Sequence, residues 1–169
     1  ELQSGPRHFR FSPDRKYLYL LYELKNVVDV YSFHEEEDGG EVSFEKIQTI
    51  STFLEKDRDP LIAACQMRFS PDKEASHLFV ANAGINTISI YDRDFDTGLL
   101  TMKGSLPVGG EYPKDFCIFP DERHIAVANN ESGTITFLNI DYEHGLLSMS
   151  ARDLEVDEPN CICMVKCRG

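Results

Sequence analysis

The sequence predicts an all-β fold: a β-propeller of four-stranded antiparallel blades, with about three blades and one further strand in the chain, a partial ring. Three observations carry this. Strand-forming runs dominate, at residues 16–22, 27–33, 42–50, 78–81, 87–91, 125–128 and 134–140; each is rich in β-branched and aromatic residues and bounded by Gly, Pro, Asn, Asp or Ser. No stretch keeps a helical period beyond about two turns. A Pro-Asp turn followed by two strand patterns recurs three times, with its prolines at 13, 71 and 120. Units of about 40–50 residues holding four short strands are what a blade requires. A blade cannot bury both faces alone, so it packs against its neighbours around an axis.

The first copy runs Phe11-Ser12-Pro13-Asp14, then Tyr17 to Glu23, then Asn26 to Tyr31. The second runs Phe69-Ser70-Pro71-Asp72, then Leu78 to Gly84, then Asn86 to Tyr91. The third runs Ile118-Phe119-Pro120-Asp121, then Ile125 to Asn130, then Gly133 to Leu138. In each, Pro fixes φ and Asp hydrogen-bonds its own downstream backbone, so the Pro-Asp pairs are structural turns. Copies two and three continue into Asp96-Thr97-Gly98-Leu99-Leu100 and Glu143-His144-Gly145-Leu146-Leu147, each a turn opening a fourth strand. Residues 51–57 and 61–64 hold a helical turn at most. The blades are expected at 5–56, 60–108 and 111–157, followed by a closing strand at 158–166. Propellers generally need four or more blades to close. The ring is therefore expected to be completed by N-terminal blades missing from this chain, or by a second copy in a homodimer. The opening Glu1-Leu2-Gln3-Ser4, without Met, reads the same way.

The 169 residues are enough for one compact domain that buries roughly 70% of its unfolded surface. With 41% hydrophobic and 27% charged residues the composition is globular. The net charge of −12 argues against nucleic acid or a phospholipid surface as partner, both being polyanions. No run approaches the ~18 apolar residues of a membrane span, and no signal-peptide pattern opens the chain. Five cysteines, Cys65, Cys117, Cys161, Cys163 and Cys167, make an odd count that does not suit a disulfide framework; they read as reduced thiols of a cytoplasmic protein.

Adjacent strands of a meander run antiparallel, so the start of a blade's first strand and the end of its second lie at one end. That places Arg7-His8 with Glu23, Ala64-Cys65-Gln66 with Asn82-Ala83, and Glu111, Lys114 and Asp115 with Asn129, Asn130 and Glu131. All belong to one face near the channel, opposite the Pro-Asp turns. Arg7 is a fixed cation able to hold an anion or stabilise an oxyanion, and Glu23 or His8 can take a proton from water. Together they suit general-base opening of a lactone. The alternative is an Arg7–Glu23 ion pair that braces the blade mouth. The Glu111/Lys114/Asp115/Glu131 group reads as a solvated rim. His34 with Glu35-Glu36-Glu37-Asp38-Gly39-Gly40 reads as a charged hairpin tip rather than a metal site. Cys161, Cys163 and Cys167 have no His at zinc-ligand spacing, so no metal is expected.

Gly5-Pro6-Arg7-His8 before a strand, the Ser-Pro-Asp turns, a Tyr-Leu-Tyr strand ending in an acidic residue plus Leu, Tyr112-Pro113-Lys114-Asp115-Phe116 and the Asp-x-x-x-Gly-Leu-Leu turn together resemble the lactonase family of seven-bladed β-propellers. That family includes propeller-type 6-phosphogluconolactonases and carboxymuconate-lactonising enzymes. The resemblance runs from about Gly5 to Val165 and matches the C-terminal part of a member. It implies a hydrolase of sugar lactones in carbohydrate metabolism, needing no cofactor. Arg7 and Glu23 fall on residues proposed to act at the channel mouth, with His8 beside them, so the catalytic set is Arg7, His8 and Glu23. Lys114, Asn82 and Asn129 are the substrate-binding set. The pattern departs from the family twice. Ala83 stands where Asn-Arg-Gly is common, and Lys114 stands where the motif usually has Arg, keeping charge but losing the bidentate fork. A further family His would lie upstream of residue 1. The alternative is a non-catalytic propeller that binds a small molecule or a protein on the same face.

Overall fold

The computed structural model describes residues 4–36, 40–151 and 153–165. They form three antiparallel sheets, each a simple meander in chain order. The first holds β1 (Pro6–Phe11), β2 (Tyr17–Tyr22), β3 (Val27–Glu35) and β4 (Val42–Ser51). The second holds β5 (Ala63–Phe69), β6 (His77–Ala83), β7 (Thr87–Arg93) and β8 (Leu100–Pro107). The third holds β9 (Pro113–Ile118), β10 (His124–Asn129), β11 (Thr134–Asp141) and β12 (Leu146–Met149), with the short β13 (Leu154–Glu155) also on β11. These are the blades of the all-β partial propeller that the repeats imply. Residues 51–57 hold a single helical turn at Glu55–Asp57, and residues 61–64 hold none, since Ala63 already pairs with Ala83 in the β5–β6 ladder; both are within the turn at most that the sequence allows. One part of the chain departs from the sequence reading. The expected closing strand forms no ladder among the described residues to 165; that segment instead lies against the inner strands.

Burial explains the sequence patterns. The second blade lies between two others, so β6 and β7 are buried over nearly their whole length; β6 reads as a nearly continuous apolar run, while β7 alternates Ile88 and Ile90 with Thr87 and Ser89. The outer strand β4 is exposed over most of its length and carries Glu45, Lys46 and Gln48. One core cluster joins the first blade to the second through Tyr19, Leu21, Val28 and Val30 against Met67, Leu78, Val80 and Tyr91. A second joins the second blade to the third through Phe79, Ala81, Ile88 and Ile90 against Phe116, Ile125, Val127 and Leu138. Each buried Val, Leu, Ile, Phe or Met side chain among these is worth about 1.5–3 kcal/mol. Polar bonds fix the blades in register. Gln48 exchanges two hydrogen bonds with the Leu100 backbone, and the Tyr19 hydroxyl donates to the Gly98 carbonyl at 2.7 Å.

The Pro-Asp turns are built as their chemistry dictates. Ser12 Oγ donates to Asp14 at 2.6 Å and accepts the Tyr17 amide at 3.0 Å. Asp121 accepts the Arg123 amide at 2.9 Å. One non-glycine residue in each turn, Arg15, Ala75 and Glu122, takes positive φ. Residues 37–39 of the acidic tip and Cys167 lie outside the described residues. Among the described residues, no helix is long and apolar enough to cross a membrane.

Candidate channel-mouth site

Each blade's innermost strand bulges at the same place. The β1–β2 register shifts between Pro6 and His8, which leaves Arg7 as the extra residue. The β5–β6 register shifts between Ala64 and Gln66, which leaves Cys65. On β9, Pro113 pairs with Asn129 and Asp115 with Ala128, which leaves Lys114. A bulge adds one unpaired residue and re-aims its side chain. Repeated in three adjacent blades, it sets Arg7, Cys65 and Lys114 in a row at one end of the inner strands. The residue after each bulge, His8, Gln66 and Asp115, forms a second row one step down.

Arg7 is held from two sides. Its Nη1 donates to Glu23 Oε2 at 2.8 Å, and its Nε donates to the Cys65 carbonyl of the next blade at 2.5 Å. Glu23 is fixed by its own amide, which donates to the Gly5 carbonyl at 2.7 Å. Gly5 adopts φ +62°, and a Cβ there would come within 2.8 Å of Leu24 Cγ, so only glycine starts this strand without strain. The Arg7 and Glu23 side chains are about one-third exposed. A pair in that setting contributes at most about 1 kcal/mol to stability, so its main effect is on the position of the guanidinium.

His8 is half-buried. Burial and then the Arg7 and Arg10 charges push its pKa down, while Asp115 and a hydrogen bond to the Cys65 backbone pull the other way. It is therefore a neutral imidazole at pH 7 with a lone pair to offer. Burial raises the Cys65 thiol, against Arg7 and Lys114, which favour its thiolate. Its Sγ donates to the Ala63 carbonyl at 3.3 Å. Lys114 Nζ donates to Asn160 Oδ1 at 2.9 Å and stands 5.6 Å from the Tyr112 ring centre.

Asp115 belongs to the polar network beneath the mouth rather than to a solvated rim. It is 3% exposed and accepts hydrogen bonds from Gln66 Nε2 at 2.9 Å, Arg68 Nη2 at 2.9 Å, and the Phe116 and Ile162 amides at 2.8 and 3.0 Å. Burial opposes its charge, but the Ile162 amide, the Arg68 guanidinium and Gln66 together hold its pKa below the usual carboxylate range. The signal that marks Asp115 is its match to His8 and Gln66 when the three bulges are aligned.

Asn82 and Asn129 lie elsewhere than the mouth. Both are 0% exposed. Asn82 Nδ2 donates to the Thr52 carbonyl at 2.8 Å, and Asn129 Nδ2 donates to Thr136 Oγ1 at 2.7 Å. They occupy the strand position before the channel face, where the side chain turns into the blade interior and ties strands together. Ala83 is also fully buried. Among the described residues, no three His, Cys, Asp or Glu side chains are placed to hold a metal ion.

Residues 1–164 match the model of the family described as "Lactonase, 7-bladed beta-propeller". The 6-phosphogluconolactonase of Bacillus subtilis is 28% identical over 123 residues, which cover 70% of this chain and 32% of that protein. An uncharacterized protein of Staphylococcus aureus is 34% identical over 120 residues, covering 68% of this chain and 31% of that one. Among solved structures, a putative 6-phosphogluconolactonase from Bacteroides fragilis superposes with a TM-score of 0.81 at 27% identity, over 97% of this chain and 43% of the other. A periplasmic gluconolactonase of Pseudomonas aeruginosa superposes with a TM-score of 0.78 at 26% identity, over 95% and 42%. The chain thus spans about a third of the length of its curated relatives and under half of the solved ones. It belongs to the lactonase family of seven-bladed β-propellers.

Proposed function

We propose that this member of the lactonase propeller family carries one side of the channel mouth of a lactone hydrolase, with a sugar lactone as substrate and 6-phosphogluconolactone as the first to test. The observation that supports this most is the row of bulges, which aims two cations, Arg7 and Lys114, at one mouth of a chain whose net charge is −12. Water attacks the lactone carbonyl, and charge develops on the carbonyl oxygen. Arg7 stabilises that oxyanion, already oriented by Glu23 and the Cys65 carbonyl and needing no rearrangement. His8, kept neutral, takes the proton from the attacking water and returns it to the ring oxygen as the ring C–O bond breaks. Glu23, with Oε2 engaged by Arg7, acts mainly by positioning the guanidinium. Lys114 draws the anionic end of the substrate. A cytoplasmic setting is part of the same proposal, supported by the free thiols of Cys65, Cys117, Cys161 and Cys163.

The buried Ala83, at a position where the family commonly has Arg, favours a second reading in which the same mouth binds a small molecule without turnover. One experiment separates the two. Acid release from 6-phosphogluconolactone and from gluconolactone is followed with the intact protein, and binding of each is measured by calorimetry. Catalysis predicts release well above the spontaneous rate, a loss of about 10²–10³-fold in Arg7→Ala, and a comparable loss in His8→Ala. The acidic limb of the pH profile then lies below the ordinary histidine value of about 6.5. Release at the background rate overturns the enzyme reading, and heat of binding without release supports the second.

A further inference from the structure

The segment after β13 meets the inner strands along a line that can be followed bond by bond. Lys114 on β9 donates to Asn160, and two steps on the Ile162 amide donates to Asp115. Both chains advance in the same direction; Cys163 follows one residue after Ile162, and Cys117 two residues after Asp115 on β9. The two thiols do line one cavity, of about 500 Å³, together with Arg10, Arg68, Cys161 and Met164. A negative charge on Cys163 is felt at Cys117. Cys117 is buried and Cys163 exposed, and both are free thiols. Cys161 is also exposed, and the Asp115 carboxylate, with a smaller contribution from Cys163, raises its thiol.

We propose that Cys117 and Cys163 are a redox modification site: a thiol pair that a small anionic disulfide of the glutathione class oxidises, fastening the C-terminal segment to β9. Arg10 and Arg68 at the cavity wall attract the carboxylates of such a molecule. The exposed Cys163 reacts first. Its thiolate attacks one sulfur of the small disulfide, the S–S bond breaks, and one small thiolate leaves and takes up a proton. Cys117 then loses its proton to solvent, and its thiolate attacks the Cys163 sulfur of the mixed disulfide, releasing the second small thiol. Two protein thiols are oxidised to one disulfide, and one small disulfide is reduced to two thiols. The link holds Asn160 against Lys114 and Ile162 against Asp115, and so couples the redox state of the cavity to the cation at the mouth.

The test uses the intact protein, reduced and then exposed to oxidised glutathione, with thiol titration and peptide mapping under non-reducing conditions. The expected result is the loss of two thiols per chain and a cross-linked peptide pair containing Cys117 and Cys163. Cys161→Ser keeps that link. Cys117→Ser stops at glutathione bound to Cys163, and Cys163→Ser leaves Cys117 as a free thiol. Three results would each overturn the proposal: Cys117 still free in the oxidised wild type, a link from Cys163 to another cysteine, or a Cys117 cross-link that persists in Cys163→Ser.

Discussion

Replacing Asp115 by Ala removes the acceptor that joins three parts of the chain. Gln66 and Arg68 of the second blade, the Phe116 amide of the third and the Ile162 amide of the C-terminal segment all donate to it. Hydrogen bonds to a charged group are worth about 1.5–3 kcal/mol each, and removing one partner of a buried ion pair costs about 3–5 kcal/mol. The sum is not additive. Arg68, with 31% of its side chain exposed, can turn toward water once its partner is gone. The lower end of the range therefore applies, about 3 kcal/mol for Asp115→Ala, and about 2 kcal/mol for Asp115→Asn, which keeps the shape and loses the charge. Urea unfolding of the intact protein at neutral pH measures both. Acid supplies a second signature. The folded-state pKa of Asp115 is depressed, so its contribution is fully present above the unfolded value of about 3.9 and is lost as pH falls through the folded value. The gap between wild type and Asp115→Asn should close over that window. The reasoning fails if Asp115→Ala lies within about 0.5 kcal/mol of wild type, or if the gap is the same on both sides of the window.

Two further outcomes follow from the packing. At Gly84, with φ +85°, an added Cβ would lie 2.6 Å from the Leu61 carbonyl oxygen. Gly84→Ala should thus lose about 2–4 kcal/mol, from left-handed strain plus overpacking. Gly133→Ala, equally left-handed but with its nearest neighbour at 3.6 Å, should lose about 1 kcal/mol; equal losses would refute the steric account. The 169-residue chain made alone should self-associate. Its first blade exposes a connected aromatic row, Phe9, Phe11, Phe33 and Phe44, with ring centres 5.1–6.3 Å apart. At the matching positions the next blades bury Met67 and Phe116 against a neighbour. Light scattering should show a mass above the monomer that falls in Phe9→Ser/Phe11→Ser; a monodisperse wild-type monomer would contradict this.

What lies within a few residues was legible in the sequence. Ser-Pro-Asp makes its turn through bonds between Ser12, Asp14 and Tyr17, all inside six residues, and period-two patterns are set by each strand's own faces. The pairing of Arg7 with Glu23 was legible too, because a hairpin returns its ends to one place. The tertiary structure decided the rest. Meander geometry already set Cys65 and Lys114 on the face of Arg7, but that each is the bulged residue of its inner strand is something a pattern of residue types does not encode. Asn82 and Asn129 share the mouth's sequence neighbourhood, yet one register step turns them inward. Asp115 reads as a rim charge until Arg68, 47 residues away, and Ile162, 47 residues the other way, are brought to it. Residues 158–166 read as a strand, but a strand needs a free edge at the right place, and only the assembled blades decide where one is. Local chemistry thus determined the blades and their turns. The site depends on the order in which neighbouring blades present their inner strands, a property of contacts far apart in sequence.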